Sequence, residues 1–246
     1  GHPINLKKRI KNGGISVALL GVDGSGKSTI SDSVMKWLKW KIDCRYLYMG
    51  TGDGNTNFLN KFLRSYSSNK KNKKYVEQNS KKTNAASKTS SQNGLKLLII
   101  NYNSYLNAKI KWKNVKKMLK LQKKGCVIIM DRYPQNQFVG INDGPLITEI
   151  GAGVFSLLNK ILQKKEKNIF SKITSYSPTL VIKLKISFET SRSRKQDSPE
   201  EAIKKKIEII DKLKFEKSKE CCISNDSELD VTLNKVKNVI WDGILH

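Results

Sequence analysis

The chain has 246 residues, enough for one α/β domain with a sizeable core. It carries 47 Lys and Arg against 21 Asp and Glu, a formal charge of +26. No apolar run approaches the roughly 20 residues that a membrane-spanning helix needs, so no membrane span is expected.

Such a charge suits an anionic partner: nucleic acid, a membrane surface or phosphorylated metabolites. The excess is nearly all Lys, scattered through the chain and mixed with Asn and Ile. That pattern fits codon bias better than a dedicated nucleic-acid surface, so nucleic acid is not the favoured partner. The six arginines are Arg9, Arg45, Arg64, Arg132, Arg192 and Arg194. Where Lys fills most basic positions, a retained Arg points to a planar, bidentate fork for phosphate. Cys44, Cys126, Cys221 and Cys222 form no Cys-x-x-Cys pair, and His occurs only at positions 2 and 246. A metal-thiolate site is not expected; buried, reduced thiols of a cytoplasmic protein are.

In chain order, residues 1–12 read as a basic N-terminal extension or a cloning remnant. The first residue is not Met, so the chain is a candidate fragment of a longer one. A domain is expected over 13–246. Its first strand falls at 15–20. Then comes Gly21-Val-Asp-Gly-Ser-Gly-Lys-Ser-Thr29, with the spacing of a phosphate-binding loop. Gly21, Gly24 and Gly26 let the backbone curl so that N–H groups, Ser25's included, face one anion. Lys27 supplies a cation for the β and γ oxygens of a nucleotide, and Ser28, beside Thr29, supplies a Mg²⁺ ligand. The helix that follows, at 28–41, points its positive end at the same phosphates.

A second strand is expected at 44–49. Residues 65–94 are rich in Ser, Asn, Lys and Thr and read as an insertion too polar to pack. A helix follows at 95–122 and a central, wholly apolar strand at 126–130. That strand ends in Asp131-Arg132-Tyr133, which puts a carboxylate on the Mg²⁺ side of the loop and aims Arg132 and Tyr133 at the cleft. A helix at 146–164 and a strand at 180–184 lead to a cationic connection, 187–199, with Arg192, Arg194 and Lys195. Cations brought over a moving phosphoryl group stabilise its spread charge; the alternative is solvated surface charge. A helix from 199, with Ser198 as N-cap and Pro199 first, a strand at 220–223 and a helix at 229–241 complete the chain. Strand–helix alternation predicts an α/β, doubly wound sheet with ligands at the carboxyl ends of its strands.

These clusters together resemble the thymidylate kinase family of nucleoside monophosphate kinases, over most of the chain. The match includes the ending Ile223-Ser-Asn-Asp-Ser-Glu-Leu-Asp-Val-Thr-Leu233. The resemblance implies the P-loop nucleoside triphosphate hydrolase fold, a parallel five-stranded sheet with helices on both faces. It implies transfer of the ATP γ-phosphoryl group to dTMP with Mg²⁺, usually in a dimer. Lys27, Ser28 and Thr29 would hold ATP phosphates and Mg²⁺. Asp23 would contact the acceptor's 3′-hydroxyl, Asp131 would act on the Mg²⁺ side and Arg132 on the acceptor phosphate. Some members carry an Arg at the place of Gly24; here Arg192 and Arg194 look like the lid arrangement. Two departures bear on the acceptor. Pro134-Gln-Asn-Gln-Phe138 replaces the family's Ser after Asp-Arg-Tyr, and the helix at 95–122, where the family has a thymine-reading Arg, has only Lys109, Lys111 and other lysines. Another nucleotide, a sugar or a polynucleotide end stays open as acceptor, and so does a nucleotide-binding module without turnover.

Overall fold

The computed structural model describes residues 7–50, 91–141, 143–151, 153–194, 200–226 and 228–245. Five strands, β1 (Ser16–Gly21), β2 (Cys44–Tyr48), β3 (Val127–Asp131), β4 (Leu180–Lys185) and β5 (Lys219–Ser224), form one sheet in the order β2-β3-β1-β4-β5. Every pairing is parallel. Parallel neighbours need crossovers, and helices supply them. These are α1 (Lys27–Lys39), α2 (Ser91–Lys123), α3 (Val154–Thr174), α4 (Phe188–Arg194), α5 (Glu200–Lys212) and α6 (Leu229–Leu245). The doubly wound, five-stranded α/β sheet expected from the strand–helix alternation is the fold of this chain.

The period-two alternation of the strands divides the core into two layers. Val17, Leu19, Val127, Ile129, Leu180 and Ile182 face α1 and α6, where Ile30, Val34, Leu38, Val236 and Ile240 meet them. Ala18, Leu20, Ile128, Met130 and Val181 face the other way, onto Val115 and Met118 of α2, Ile173 of α3 and Ile209 of α5. Being covered on both faces is why the central strands are apolar at successive positions.

Two element boundaries and the burial of the cysteines differ from expectation. Helix α2 begins at Ser91, so the end of the segment read as an insertion, 65–94, is helical; its residues 65–90 lie outside the described residues. Helix α3 begins at Val154 rather than 146. Residues Leu146 and Ile147 sit in a loop whose backbone N–H groups donate to the Glu166 carboxylate, each at 3.1 Å. A side chain thus does for this stretch what a helix turn would have done. The cysteines divide: Cys44 and Cys126 are buried, Cys221 is half-buried and Cys222 is exposed, because the edge strand β5 turns Cys222 outward.

The order β2-β3-β1-β4-β5 puts the carboxyl ends of β1, β3 and β4 side by side. The segments that leave those ends are the phosphate loop, Asp131-Arg132, and α4. The site is built there.

Candidate functional site

The loop between β1 and α1 contains two glycines with positive φ, Gly24 at 83° and Gly26 at 79°. Gly26 is the N-cap of α1, in the left-handed conformation, with no side-chain cap and no acidic residue in the first turn. The N–H groups at the start of this 13-residue helix are therefore open to an external acceptor, and the helix dipole favours an anion there. At Gly24 a Cβ would meet Ser191 O at 3.1 Å and Arg194 Cβ at 3.5 Å. Helix α4 thus packs directly on the loop, and any side chain at this position would crowd it. Gly24→Ala is expected to lower the melting temperature by about 2–6 °C, since a left-handed residue with a Cβ costs ~1–2 kcal/mol. Differential scanning fluorimetry checks this; an unchanged midpoint would mean that the loop relaxes freely.

A cleft of about 610 Å³ opens over the loop, lined by Asp23, Gly24, Gly26, Lys27, Ser28 and Thr29, with residues from the neighbouring strand ends. Lys27, 7% exposed, folds back on the loop. Its Nζ donates to Gly21 O at 2.9 Å, Val22 O at 2.7 Å and Ser25 Oγ at 3.4 Å. Burial, helped by the nearby Arg132 charge, pulls the Lys27 pKa down to about 8. The Asp131 and Asp23 charges favour the ammonium, and an anion arriving in the cleft would add to them.

Strand β3 carries Asp131 into the cleft. Burial raises its pKa, while Lys27 and Arg132 oppose the rise. Its Oδ1 is buried with no hydrogen-bond partner among the described residues. A buried carboxylate oxygen left in this condition needs a cation or a donor. Arg132 follows with φ 69°, a strained conformation for a side-chain-bearing residue. Its N–H donates to Leu19 O at 3.1 Å, which ties the strained residue to the sheet. The guanidinium bridges Asp23 Oδ1 and Asp143 Oδ2, both at 3.5 Å. These are loose contacts for a fork that prefers short, paired bonds.

The connection after β4 contributes unequally. Arg194 lines the cleft and donates to Gly24 O at 3.4 Å and Asn225 O at 3.2 Å. Arg192 pairs with Glu200 at the surface and is not among the lining residues. Lys195, Ser198 and Pro199 lie outside the described residues.

Tyr133 is the correction. It is 2% exposed, its hydroxyl donates to Tyr176 O, and its ring meets Phe215 edge-on at 6.0 Å. It belongs to the core layer under α5 and does not line the cleft. The positive φ at Arg132 interrupts the strand's alternation, and the next side chain packs into the protein.

Three residues join the site that motif reading did not single out. Asn225, immediately after β5, donates from Nδ2 to Ser25 O at 2.8 Å and leaves its buried Oδ1 without a partner among the described residues. Its place at a strand's carboxyl end was a usable signal. Asp143 and Lys206 reach Arg132 and Asp23 through tertiary contacts alone. In a chain with 47 basic residues, nothing local marks Lys206.

No family model matches the chain. The chain is similar to two Escherichia coli proteins. It is 28% identical over 211 residues to the uncharacterized ATP-binding protein YghR, covering 82% of this chain and 77% of that one. It is 28% identical over 216 residues to the uncharacterized ATP-binding protein YghS, covering 82% of each. Among solved structures, thymidylate kinase from Candida albicans aligns with a TM-score of 0.45 and 17% identity, over 94% of this chain and 90% of that one. Deoxyadenosine kinase from M. mycoides with bound dATP aligns with a TM-score of 0.47 and 15% identity, over 92% and 99%.

Proposed function

We propose that this protein transfers a phosphoryl group from ATP, with Mg²⁺, to a nucleoside monophosphate, with dTMP as the first candidate. One observation carries the reading. Around one cleft, the structure gathers an uncapped loop-and-helix anion site, a buried carboxylate oxygen without a donor among the described residues, and a cation, Arg194, laid over the loop. A module that only binds nucleotide has no need of the last of these; phosphoryl transfer, which spreads negative charge over the moving group, does. The E. coli relatives, described as ATP-binding, support ATP as the donor.

In this reading the N–H groups at the start of α1 and the Lys27 ammonium hold the donor phosphates. The fit of a magnesium ion rests on Asp131 Oδ1, with the Ser28 hydroxyl as the other candidate ligand; bound there, the ion would neutralise phosphate charge. Arg132 takes the acceptor phosphate, exchanging two loose carboxylate contacts for a bidentate one. Asp23 faces the acceptor's sugar. A homodimer in the cytoplasm belongs to the same reading, and sedimentation of the purified chain tests the dimer. Among the described residues no helix is long and apolar enough to cross a membrane.

A second reading keeps the chemistry and changes the acceptor. Helix α2 has no arginine, and its Lys111, almost wholly buried, is committed to Asp143 at 3.2 Å. The thymine-reading cation of the thymidylate kinases thus has no evident counterpart among the described residues of that helix. Screening ATP consumption against the common nucleoside mono- and diphosphates decides between acceptors. ATP binding without turnover on any of them would favour the non-catalytic module.

Arg132→Lys is expected to raise the acceptor KM at least about tenfold and the ATP KM by less than about twofold, because a point charge does not replace a planar fork. Initial rates with each substrate varied in turn check it. Equal effects on both substrates would make Arg132 structural.

A further inference from the structure

Asp23 is gripped from two sides. Its Oδ1 faces Arg132 at 3.5 Å, and its Oδ2 accepts from Lys206 Nζ at 2.7 Å. Arg132 leaves the end of β3; Lys206 stands in the middle of α5, 183 residues from its partner. The bond from Lys206 is the shorter and better one. Two more side chains of the α4–α5 segment hold the same stretch of loop. Ser191 Oγ donates to Asp23 O at 3.0 Å, and Arg194 donates to Gly24 O at 3.4 Å. Both of these reach backbone oxygens. Lys206 alone of the three grips a side chain that itself lines the cleft.

An isolated half-exposed ion pair contributes little. This one is part of a network. Burial works against charge on Asp23, but the hydrogen bond and charge of Lys206, with Arg132 and Lys27, outweigh it and hold the carboxylate below its ordinary pKa. With a cation on each oxygen, the carboxylate has one orientation in which both contacts survive. Without Lys206 it is tied only by the looser contact to Arg132, and it is free to follow that arginine wherever a substrate phosphate draws it.

We propose that Lys206 is a positioning residue of this site: it fixes the Asp23 carboxylate at the edge of the cleft, independently of Arg132, and so couples α5 to the phosphate loop. It touches no reacting group and acts through Asp23. The proposal deepens the phosphoryl-transfer reading and rests on it for its kinetic consequence.

The test uses the full chain, with ATP and dTMP varied in turn, or the acceptor that the nucleotide screen returns. Lys206→Met is expected to raise the acceptor KM about tenfold and leave the ATP KM within about twofold. Lys206→Arg, which keeps the charge and the reach, should restore the acceptor KM to within about threefold of the parent. In an Asp23→Asn background, Lys206→Met should add less than about twofold, because the two residues act as one unit. An active parent whose Lys206→Met variant is unchanged overturns the proposal. So does an effect that survives in the Asp23→Asn background, or one that falls equally on both substrates and is not rescued by Arg. Lys206→Gln stands in should the Met variant fold poorly.

A parent that turns over no acceptor counts against phosphoryl transfer, and Lys206 is then judged without substrate. Amide exchange across residues 22–26 should quicken about tenfold in Lys206→Met and return in Lys206→Arg, with the β1 amides unchanged. Equal exchange in parent and variant overturns the coupling itself.

Discussion

Lys27→Ala is expected to abolish phosphoryl transfer, with kcat/KM falling at least ~10³-fold, while the protein stays folded. The two halves of that expectation have separate grounds. Lys27 belongs to neither core layer; the buried apolar positions of α1 are Ile30, Val34, Met35 and Leu38. Its ammonium holds loop carbonyls of Gly21 and Val22, beside a cleft from which water can replace it. The melting temperature should therefore move by only a few degrees. The catalytic half follows from burial. The same desolvation that pulls its pKa to about 8 makes its charge act through a poorly screened medium. There a cation stabilises developing charge on a phosphoryl group far more than it would in water. Circular dichroism with a coupled ATP assay separates the two halves. Turnover within about tenfold of the parent would remove Lys27, and with it the nucleotide reading of the loop.

The fold was legible because its central strands must be apolar on both faces. The run at β3 is apolar throughout, as a central parallel strand should be, whereas β4 is buried with Lys183 in it, paired with Glu220. The linear parts of the site were legible for a related reason: the phosphate loop and Asp131-Arg132 each follow a strand end directly, so sequence order gives spatial order. What stayed hidden was held by contacts between distant residues. The start of α3 was misplaced because Glu166 satisfies the backbone at Leu146 and Ile147 from 20 and 19 residues away. Asn225 reaches Ser25 across 200 residues and Lys206 reaches Asp23 across 183; the first lies in the family-like ending without a role attached to it, and the second stands in no motif. Tyr133 packs into the core just after a positive φ at Arg132, a conformation that no residue type announces at an arginine. Lysine abundance added to the difficulty. Where cations are everywhere, the few with tertiary partners do not stand out.

The arginines of the α4 connection carry the largest remaining consequence, and the structure separates two residues that the sequence presented together. Arg194→Ala is expected to lower kcat about 10³-fold with ATP affinity changed by less than about threefold. The guanidinium lies over Gly24 O and Asn225 O and lines the cleft, so it stands beside the place where phosphate would bind. Both contacts are long bonds to neutral carbonyls, which a phosphoryl group gathering negative charge would readily outcompete. An interaction that strengthens only as that charge develops appears in kcat and not in ground-state binding. Arg192 differs in its partner. It already pairs with Glu200 and is not among the cleft-lining residues, so Arg192→Ala should change the rate by less than about twofold. Single-turnover kinetics on the two variants read the chemical step directly. Equal losses would mean that the connection rearranges on binding and brings both cations over the donor. If neither variant slows a parent that is active, the transition state draws its charge from Lys27 and Arg132 alone. If the parent itself binds ATP and transfers nothing, Arg194 is a clamp on the loop, and the protein reads nucleotide without consuming it.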